Sequence, residues 1–396
     1  MSTPASRSKD SNEEAMPQKA TTGPSALATS ATAGAEINTS STSLQESLAL
    51  TRFVTGLLHY PKENLAYVTS TISRKVSKIL GKEMFTPEKD IGDLGGKVIL
   101  VTGGNSGLGR ETILELAKHN PSRIYLASRN EAKALSAIAD IKSSFNTEQS
   151  STIDIRFLPL DLSSFQSIRA AASTFKSDNH RLDTLILNAG VMGLPPYTTE
   201  DGYEIHFGTN FLGHFLLTKL LLPTLLETVK MPLSPQQQTA DVRVISISSL
   251  AWQLAPASNP LENMTSTQKL LSANTWTRYG TSKAGNVVLA AQLARFYPDI
   301  TAVSVHPGVI DTNLYSSSKT RNPIVRYGMA ALGPFLTGEK DGALNHLWAA
   351  GVEKGVLKNG AYYEPVGVQA RNWFANDKAL GEELWKWAEE EVKGWA

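Results

Sequence analysis

The chain has 396 residues, 41% of them apolar, and its 38 basic residues balance 37 acidic ones to a net charge of +1. That length allows two to three domains or one large α/β domain, and the balanced charge gives no footprint for nucleic acid or an acidic surface as partner. There is no cysteine, so disulfides, thiolate catalysis and zinc–thiolate sites are excluded, and no metal site is expected.

Residues 1–42 hold 15 Ser or Thr and 8 Ala, and the first aromatic in the chain is Phe53. Such a stretch buries too little apolar surface to offset its ordering entropy, so a disordered tail is expected over 1–42. Residues 43–89 read as a helical extension. Ser43 and Glu46 have capping-box spacing, and Leu50, Phe53, Val54, Leu57 and Leu58 recur at helical period. This helix is read as packed on the main domain, with a helix lying on a membrane surface as the alternative. A further helix is expected from Asn64 to Leu80. There is no apolar leader pattern after the first basic residue, and no uninterrupted apolar run long enough to span a bilayer. A soluble, cytoplasmic protein is the expectation, with peripheral membrane association through 43–80 as a lesser alternative.

The main domain is expected over 90–396. "KVILV" (97–101) is apolar without alternation, as a strand buried on both faces should be. A helix is predicted from Arg110 to His119, then the strand "RIYLAS" (123–128) and the helix "EAKALSAIADIKSSF". Four more strand-like runs follow: "IRFLPLD" (155–161), "LDTLILNAG" (182–190), "VRVISISS" (242–249) and "ITAVSVHPG" (300–308). Strands alternating with helices predict a Rossmann-type α/β fold, a doubly wound parallel sheet covered on both faces.

"TGGNSGLG" (102–109) joins the first strand to the first helix. Its spaced glycines, Gly103, Gly107 and Gly109, suit a tight turn with bare backbone, where N–H groups and the helix dipole can face a pyrophosphate. Asn105, Ser106 and Leu108 are assigned to the same dinucleotide cradle. The second strand ends in Ser128 and Arg129, where an NAD-preferring site would carry an acid for the ribose hydroxyls. A guanidinium there can pair a 2′-phosphate, so NADP(H) is the expected cofactor. Asp161, ending the third strand, either accepts from the adenine amino group or caps the following helix.

"NAG" (Asn188, Ala189, Gly190) ends the fourth strand, where small residues let backbone approach a ligand; an ordinary tight turn fits it as well. Asn210 is a lone amide on an apolar helix. It either ties the core together or holds a functional water. The fifth strand ends in Ser248 and Ser249, and "YGTSK" follows, with Tyr279 and Lys283 one helical turn apart. Hydride transfer to a carbonyl needs a proton donor at the developing alkoxide. A phenol titrates near 10 and is a poor donor at neutral pH unless a cation lowers it. Lys283 supplies that cation and has further donors for the nicotinamide ribose, and a strand-end serine can bond the substrate oxygen.

These motifs, with "HPGVIDT" after them, occur in the order and approximate spacing of the short-chain dehydrogenase/reductase family, which the chain resembles over roughly residues 95–370. "FTPEKDIGDLGGKVILVTGG" and "GAYYEPVG" are similar to the retinol-dehydrogenase-like and WW-domain-oxidoreductase-like branch in forms typical of fungi. The resemblance implies a tetrad: Asn210 holding a water in a proton relay, Ser249 orienting the carbonyl, Tyr279 as acid/base and Lys283 tuning it. It prefers Ser249 to Ser248, because an apolar residue follows it. It implies that Asp161 and Leu162 meet the adenine and that Asn188, Ala189 and Gly190 lie beside the ribose. Pro307, Gly308, Val309 and Thr312 are to meet the nicotinamide carboxamide. Two departures stand out. The Ser–Tyr gap is longer than the family's, so "WQLAPASNPLENMTSTQKLLSANTW" is read as a loop inserted over the pocket, and the N-terminal extension has no family role.

Residues between Thr312 and Ala343 mix apolar side chains with Gly and Pro and are read as an apolar lid over the crevice, with ordinary surface helices as the alternative. The substrate is accordingly expected to be a lipophilic alcohol, ketone or aldehyde. Two other functions are weighed: a non-catalytic NADP(H)-binding regulator, which would dispense with Tyr279 and Lys283, and an epimerase or dehydratase, whose glycines are usually spaced differently.

Overall fold

The structure is a computed structural model, and the residues it describes are 84–234, 238–310 and 337–396, with Thr69. The expected tail over 1–42, the helices expected between 43 and 80 (Thr69 aside) and most of the expected lid lie outside the described residues.

Six strands form where apolar, β-branched runs were expected: β1 Val98–Thr102, β2 Arg123–Ser128, β3 Ile155–Pro159, β4 Thr184–Leu187, β5 Arg243–Ile247 and β6 Thr301–Val305. Two short ones, β7 Tyr362–Glu364 and β8 Val368–Ala370, complete one eight-stranded sheet in the order β3-β2-β1-β4-β5-β6-β7-β8. All neighbours are parallel except β7 and β8, which form an antiparallel hairpin. Three residues per strand is too short for alternation to register, so the hairpin left little signal.

Among the described residues the α-helices of four or more residues are α1 Pro87–Asp90, α2 Gly107–Ala117, α3 Glu131–Ser143, α4 Thr147–Thr152, α5 Phe165–Asp178, α6 Gly213–Val229, α7 Pro260–Thr265, α8 Thr267–Ser272, α9 Thr275–Phe296, α10 Glu339–Gly351, α11 Trp373–Asn376 and α12 Lys378–Val392. Successive strand residues point to opposite faces, and both faces are covered. Leu100, Leu185 and Val244 join one core with α5, α6 and α9. Ile99, Val101, Ile186 and Ile245 join the other with α2, α3 and α10. This is why the strands read as unbroken apolar runs.

The stretch Ile205–Val229, which includes α6, is long and apolar enough to cross a membrane, with mean hydropathy 1.3, but 67% of its apolar window is buried inside the protein. It is a core helix here by packing. The chain runs β1-β2-β3 to one side and then crosses back to β4 beside β1. That reversal opens a crevice beyond the carboxyl ends of β1 and β4, the usual ligand position in such sheets.

The segment after Ser249 departs from expectation. It is helical, with a 3₁₀ turn over Leu250–Leu254 followed by α7 and α8. Trp252, Met264 and Leu270 are buried in the main core, and α7 packs on α12. Its apolar residues are therefore spent on packing, not on a loose cover.

Candidate active site

The crevice holds a cavity of about 710 Å³, within the range of small-molecule and cofactor sites. The glycine loop forms one wall. Gly103 has φ +68° and Gly107 φ +53°, values that only glycine adopts without strain. A Cβ on Gly109 would overlap the Gly103 carbonyl oxygen and lie 2.6 Å from Asn188 Nδ2. α2 opens at Gly107, three residues earlier than the expected Arg110, and its N-cap Ser106 makes no side-chain hydrogen bond. The N–H groups of that first turn thus have no side-chain cap, and with the helix dipole they favour an anion. Asn105 and Leu108 line the same wall.

The NAG turn braces this loop. Asn188 Nδ2 donates to Thr102 O (2.8 Å) and Gly103 O (3.4 Å), and Ala189 N donates to Thr102 Oγ1 (2.9 Å). Gly190 is small for a reason: a Cβ there would stand 3.2 Å from Asn210 Oδ1 and 3.5 Å from Lys283 Nζ.

At the far end, Ser128 is buried with no partner for its Oγ, and exposed Arg129 lines the cavity. Lys133 lines it too, a cation the sequence reading passed over. Its place four residues after Arg129, in the first turn of α3, was the available signal. Asp161 and Leu162 also line the cavity. Asp161 Oδ1 accepts from Ser163 N (2.9 Å) and Ser163 Oγ (2.6 Å). It does not cap α5: Ser164 does, accepting from Ser167 N. The capping alternative for Asp161 is therefore corrected.

The other end carries the candidate chemistry. Tyr279 and Lys283 are buried on α9 and both line the cavity. Lys283 Nζ sits 5.8 Å from the Tyr279 ring centroid and donates to Ile247 O (2.9 Å). Its burial pushes the ammonium down from 10.5 to about 8. The two serines separate by role. Ser248 Oγ donates to Lys283 O (2.8 Å), fixing the helix to β5. Ser249 Oγ accepts from Ala251 N (3.2 Å) at the head of the 3₁₀ turn. That bond leaves its hydroxyl hydrogen available to a ligand in the cavity it lines.

Asn210 lies in a π-helical turn, Gly208–Leu212. Its Oδ1 accepts from Val191 N (2.7 Å), and its Nδ2 donates to Val191 O (3.0 Å) and Ser282 Oγ (2.9 Å). Both amide hydrogens are thus spent on protein, tying the turn after β4 to α9. Asn210 is not itself a cavity wall; Thr209 is. The Asn210 carbonyl bonds His214 Nδ1 (2.9 Å), whose Nε2 meets Thr102 Oγ1 (2.9 Å). Full burial pushes His214 down to about 3, so it is a neutral tie between α6 and the end of β1.

A second buried cluster had no local sequence signal, because its members meet only in the folded chain. Glu204 bonds His206 Nδ1 (2.7 Å) and lies 3.6 Å from Arg278 Nη1. His206 Nε2 accepts from Leu194 N (3.3 Å), and Arg278 Nη2 donates to Leu194 O (2.8 Å). Together they pin the turn after β4 beside Tyr279. Met192 and Ala251 pack against Tyr279, with Leu254 and Trp276 beside them, an apolar surround for the phenol. The segment 252–276, read as a loop over the pocket, contributes Leu254 and Trp276 to this surround but nothing to the cavity wall.

Pro307 and Gly308 (φ +100°) line the cavity, as does Ile310. Val309 does not; its carbonyl accepts from Thr337 N (3.0 Å) and Thr337 Oγ1 (3.2 Å). Thr312 lies outside the described residues. Among the described residues no cluster of three or more His, Asp or Glu could hold a metal.

The short-chain dehydrogenase/reductase drtF of Aspergillus calidoustus is 36% identical over 312 residues, spanning 76% of this chain and 95% of that protein. The chain belongs to the short-chain dehydrogenase/reductase family. The family model described as short chain dehydrogenase matches residues 97–260. Mouse retinol dehydrogenase 12 is 35% identical over 296 residues, spanning 73% of this chain and 84% of that enzyme, which bears out the resemblance to the retinol-dehydrogenase branch. Among solved structures, a protein of Mycobacterium paratuberculosis matches with TM-score 0.57 and 26% identity, over 78% of this chain and 98% of its own. The RhlG/NADP active-site complex of Pseudomonas aeruginosa shares the fold, with TM-score 0.52 and 22% identity over 69% and 96%. This short-chain dehydrogenase/reductase is thus an oxidoreductase of a family that binds a nicotinamide cofactor.

Proposed function

We propose that this short-chain dehydrogenase/reductase is an NADP(H)-dependent enzyme that interconverts an alcohol and a ketone or aldehyde on a lipophilic small molecule, with Tyr279 as acid/base. The observation that carries it is the Tyr279–Lys283 pair in the wall of the same cavity that the glycine loop opens. The cavity suits the cofactor by its chemistry: an uncapped helix N-terminus that would take the pyrophosphate, and in Arg129 and Lys133 two lining cations that would pair a 2′-phosphate. Ser128 adds a buried hydroxyl without a partner. When bound, the nicotinamide supplies or takes the hydride at the carbonyl carbon.

The chain's own residues handle the proton. In the reducing direction Tyr279 donates its hydroxyl proton to the substrate oxygen as charge builds there. The adjacent Lys283 cation favours the phenolate left behind. Ser249 donates a hydrogen bond to the same oxygen, and Asn210 holds the turn after β4 against α9 in the required register. Met192 and the apolar surround of Tyr279 favour a lipophilic body on the substrate, and the name of the retinol dehydrogenase relative points the same way. We keep residues 90–396 as the catalytic domain, 43–89 as a helical extension and 1–42 as a tail, in a protein located in the cytoplasm; fractionation of cells expressing a tagged full chain tests the location.

The decisive experiment is Tyr279→Phe, assayed by NADPH consumption on a panel of lipophilic carbonyls. Turnover on any active substrate should fall on the order of 10²–10⁴-fold, the worth of one positioned acid, while NADPH affinity stays within a few-fold. Near-normal turnover in the Phe variant would remove Tyr279 from the chemistry.

A further inference from the structure

A second cavity, of about 350 Å³, lies between the C-terminal part of α9 and the β7–β8 hairpin with the segment after it. It shares no lining residue with the first. Three cations border it, Arg295, Lys358 and Arg371, and no carboxylate does. None of the three has an ion-pair partner among the described residues.

The polar lining is held in place by bonds that leave two donors over. Asn359 is fully engaged: its Oδ1 accepts from Ala302 N (2.7 Å) and its Nδ2 donates to Pro298 O (3.3 Å) and Ile300 O (3.0 Å). Asn376 Nδ2 donates to Asn372 O (2.9 Å). Asn372, 2% exposed, uses its Oδ1 to cap α11 at Phe374 N (3.0 Å), but its Nδ2 is buried with no partner. Arg295 Nη2 donates to Ala375 O (2.9 Å), while its Nη1 is buried with no partner. A buried donor left unpaired is costly, more so on a guanidinium, and an acceptor is the natural complement.

We infer that this cavity is a binding site for a small phosphorylated molecule. Three unpaired cations with no acid suit a dianion, and a guanidinium and an amide are the donors that phosphate oxygens take. The volume exceeds what a bare phosphate fills. Beyond the charges the walls combine amides with the small apolar side chains of Ala291, Ala294 and Ala361, which leaves room for a short organic body that is itself polar. The site is separate from catalysis: Arg295 follows Tyr279 by sixteen residues on α9, about 24 Å along the helix.

The test is calorimetric titration of the full chain, saturated with cofactor so that the glycine loop is filled, using glycerol 3-phosphate, inorganic phosphate and glycerol. The comparison is the Lys358→Ala/Arg371→Ala variant, whose two side chains are exposed and whose removal should leave folding and cofactor affinity unchanged. Saturable binding of glycerol 3-phosphate, tighter than that of inorganic phosphate, absent for glycerol and weakened tenfold or more in the variant, is the expected result. If only inorganic phosphate binds, the organic body is wrong. No saturable binding in the parent protein, or equal binding in the variant, overturns the site altogether.

Discussion

Lys283 combines a proposed catalytic role with a cost to folding, and replacing it by Met separates the two. In the protein without cofactor, burial alone lowers its ammonium from 10.5 to about 8. At about 1.4 kcal/mol per pH unit, that desolvation disfavours the folded state by about 3 kcal/mol at pH 7. Met is similar in length and carries no charge. The variant forfeits the bond to Ile247 O, worth about 1 kcal/mol. That carbonyl is not orphaned, because Asn286 Nδ2 also donates to it (2.9 Å). The net expectation is a gain of about 2 kcal/mol at pH 7, a rise of roughly 4 °C in melting temperature for a domain of this size, together with loss of turnover. At pH 7 the lysine is protonated in both folded and unfolded chains, and only the folded chain bears the cost. Between about 8 and 10.5 the folded amine loses its proton while the unfolded one keeps it, so the parent protein recovers stability as pH rises and the gap between the two closes. Urea unfolding at pH 7 and at pH 10.5 reads this directly. A variant less stable than the parent at pH 7, or an advantage undiminished at pH 10.5, would refute the reasoning.

Arg129→Asp should move the ratio of kcat/KM for NADPH over NADH toward NADH by tenfold or more, since a carboxylate repels a 2′-phosphate and accepts from a ribose hydroxyl; an unchanged ratio would remove Arg129 from that subsite. Gly109→Ala should abolish cofactor binding in fluorescence titration, because the added Cβ would overlap the Gly103 carbonyl and press on Asn188 Nδ2; retained affinity would mean that the loop has another way to turn. Ser249→Ala should cut kcat, at a stability cost of no more than about 1 kcal/mol from the lost bond to Ala251 N. Ser248→Ala should instead destabilise by about 1–2 kcal/mol through the lost bond to the Lys283 carbonyl. The reverse pattern would exchange the two serines' roles.

Much of the site was legible because it is written in local signals. A glycine with positive φ at a strand end, a strand with no polar face and a Tyr–Lys pair one turn apart each declare themselves within a few residues. Arg129 was visible as the residue that stands where an acid would. Lys133 was overlooked because a cation in a helix's first turn is ordinary until the strand end beside it faces a cavity. The two strands of the C-terminal hairpin were too short to show a period. The long stretch after Ser249 misled because its helices are only six residues each and are held by the core, not by their own periodicity.

What the sequence determined by itself was the alternation of buried strands and helices, the glycine loop and the order of the candidate catalytic residues, since each depends on backbone preference or spacing along one element. The tertiary structure decided how the polar groups are spent. It committed both amide hydrogens of Asn210 to Val191 and Ser282, and it gave Ser248 to the helix while leaving Ser249 its hydroxyl hydrogen. It buried Lys283 deeply enough to weaken its hold on a proton. Hydrogen-bond partners and desolvation come from residues far apart in the chain, and no local pattern encodes them.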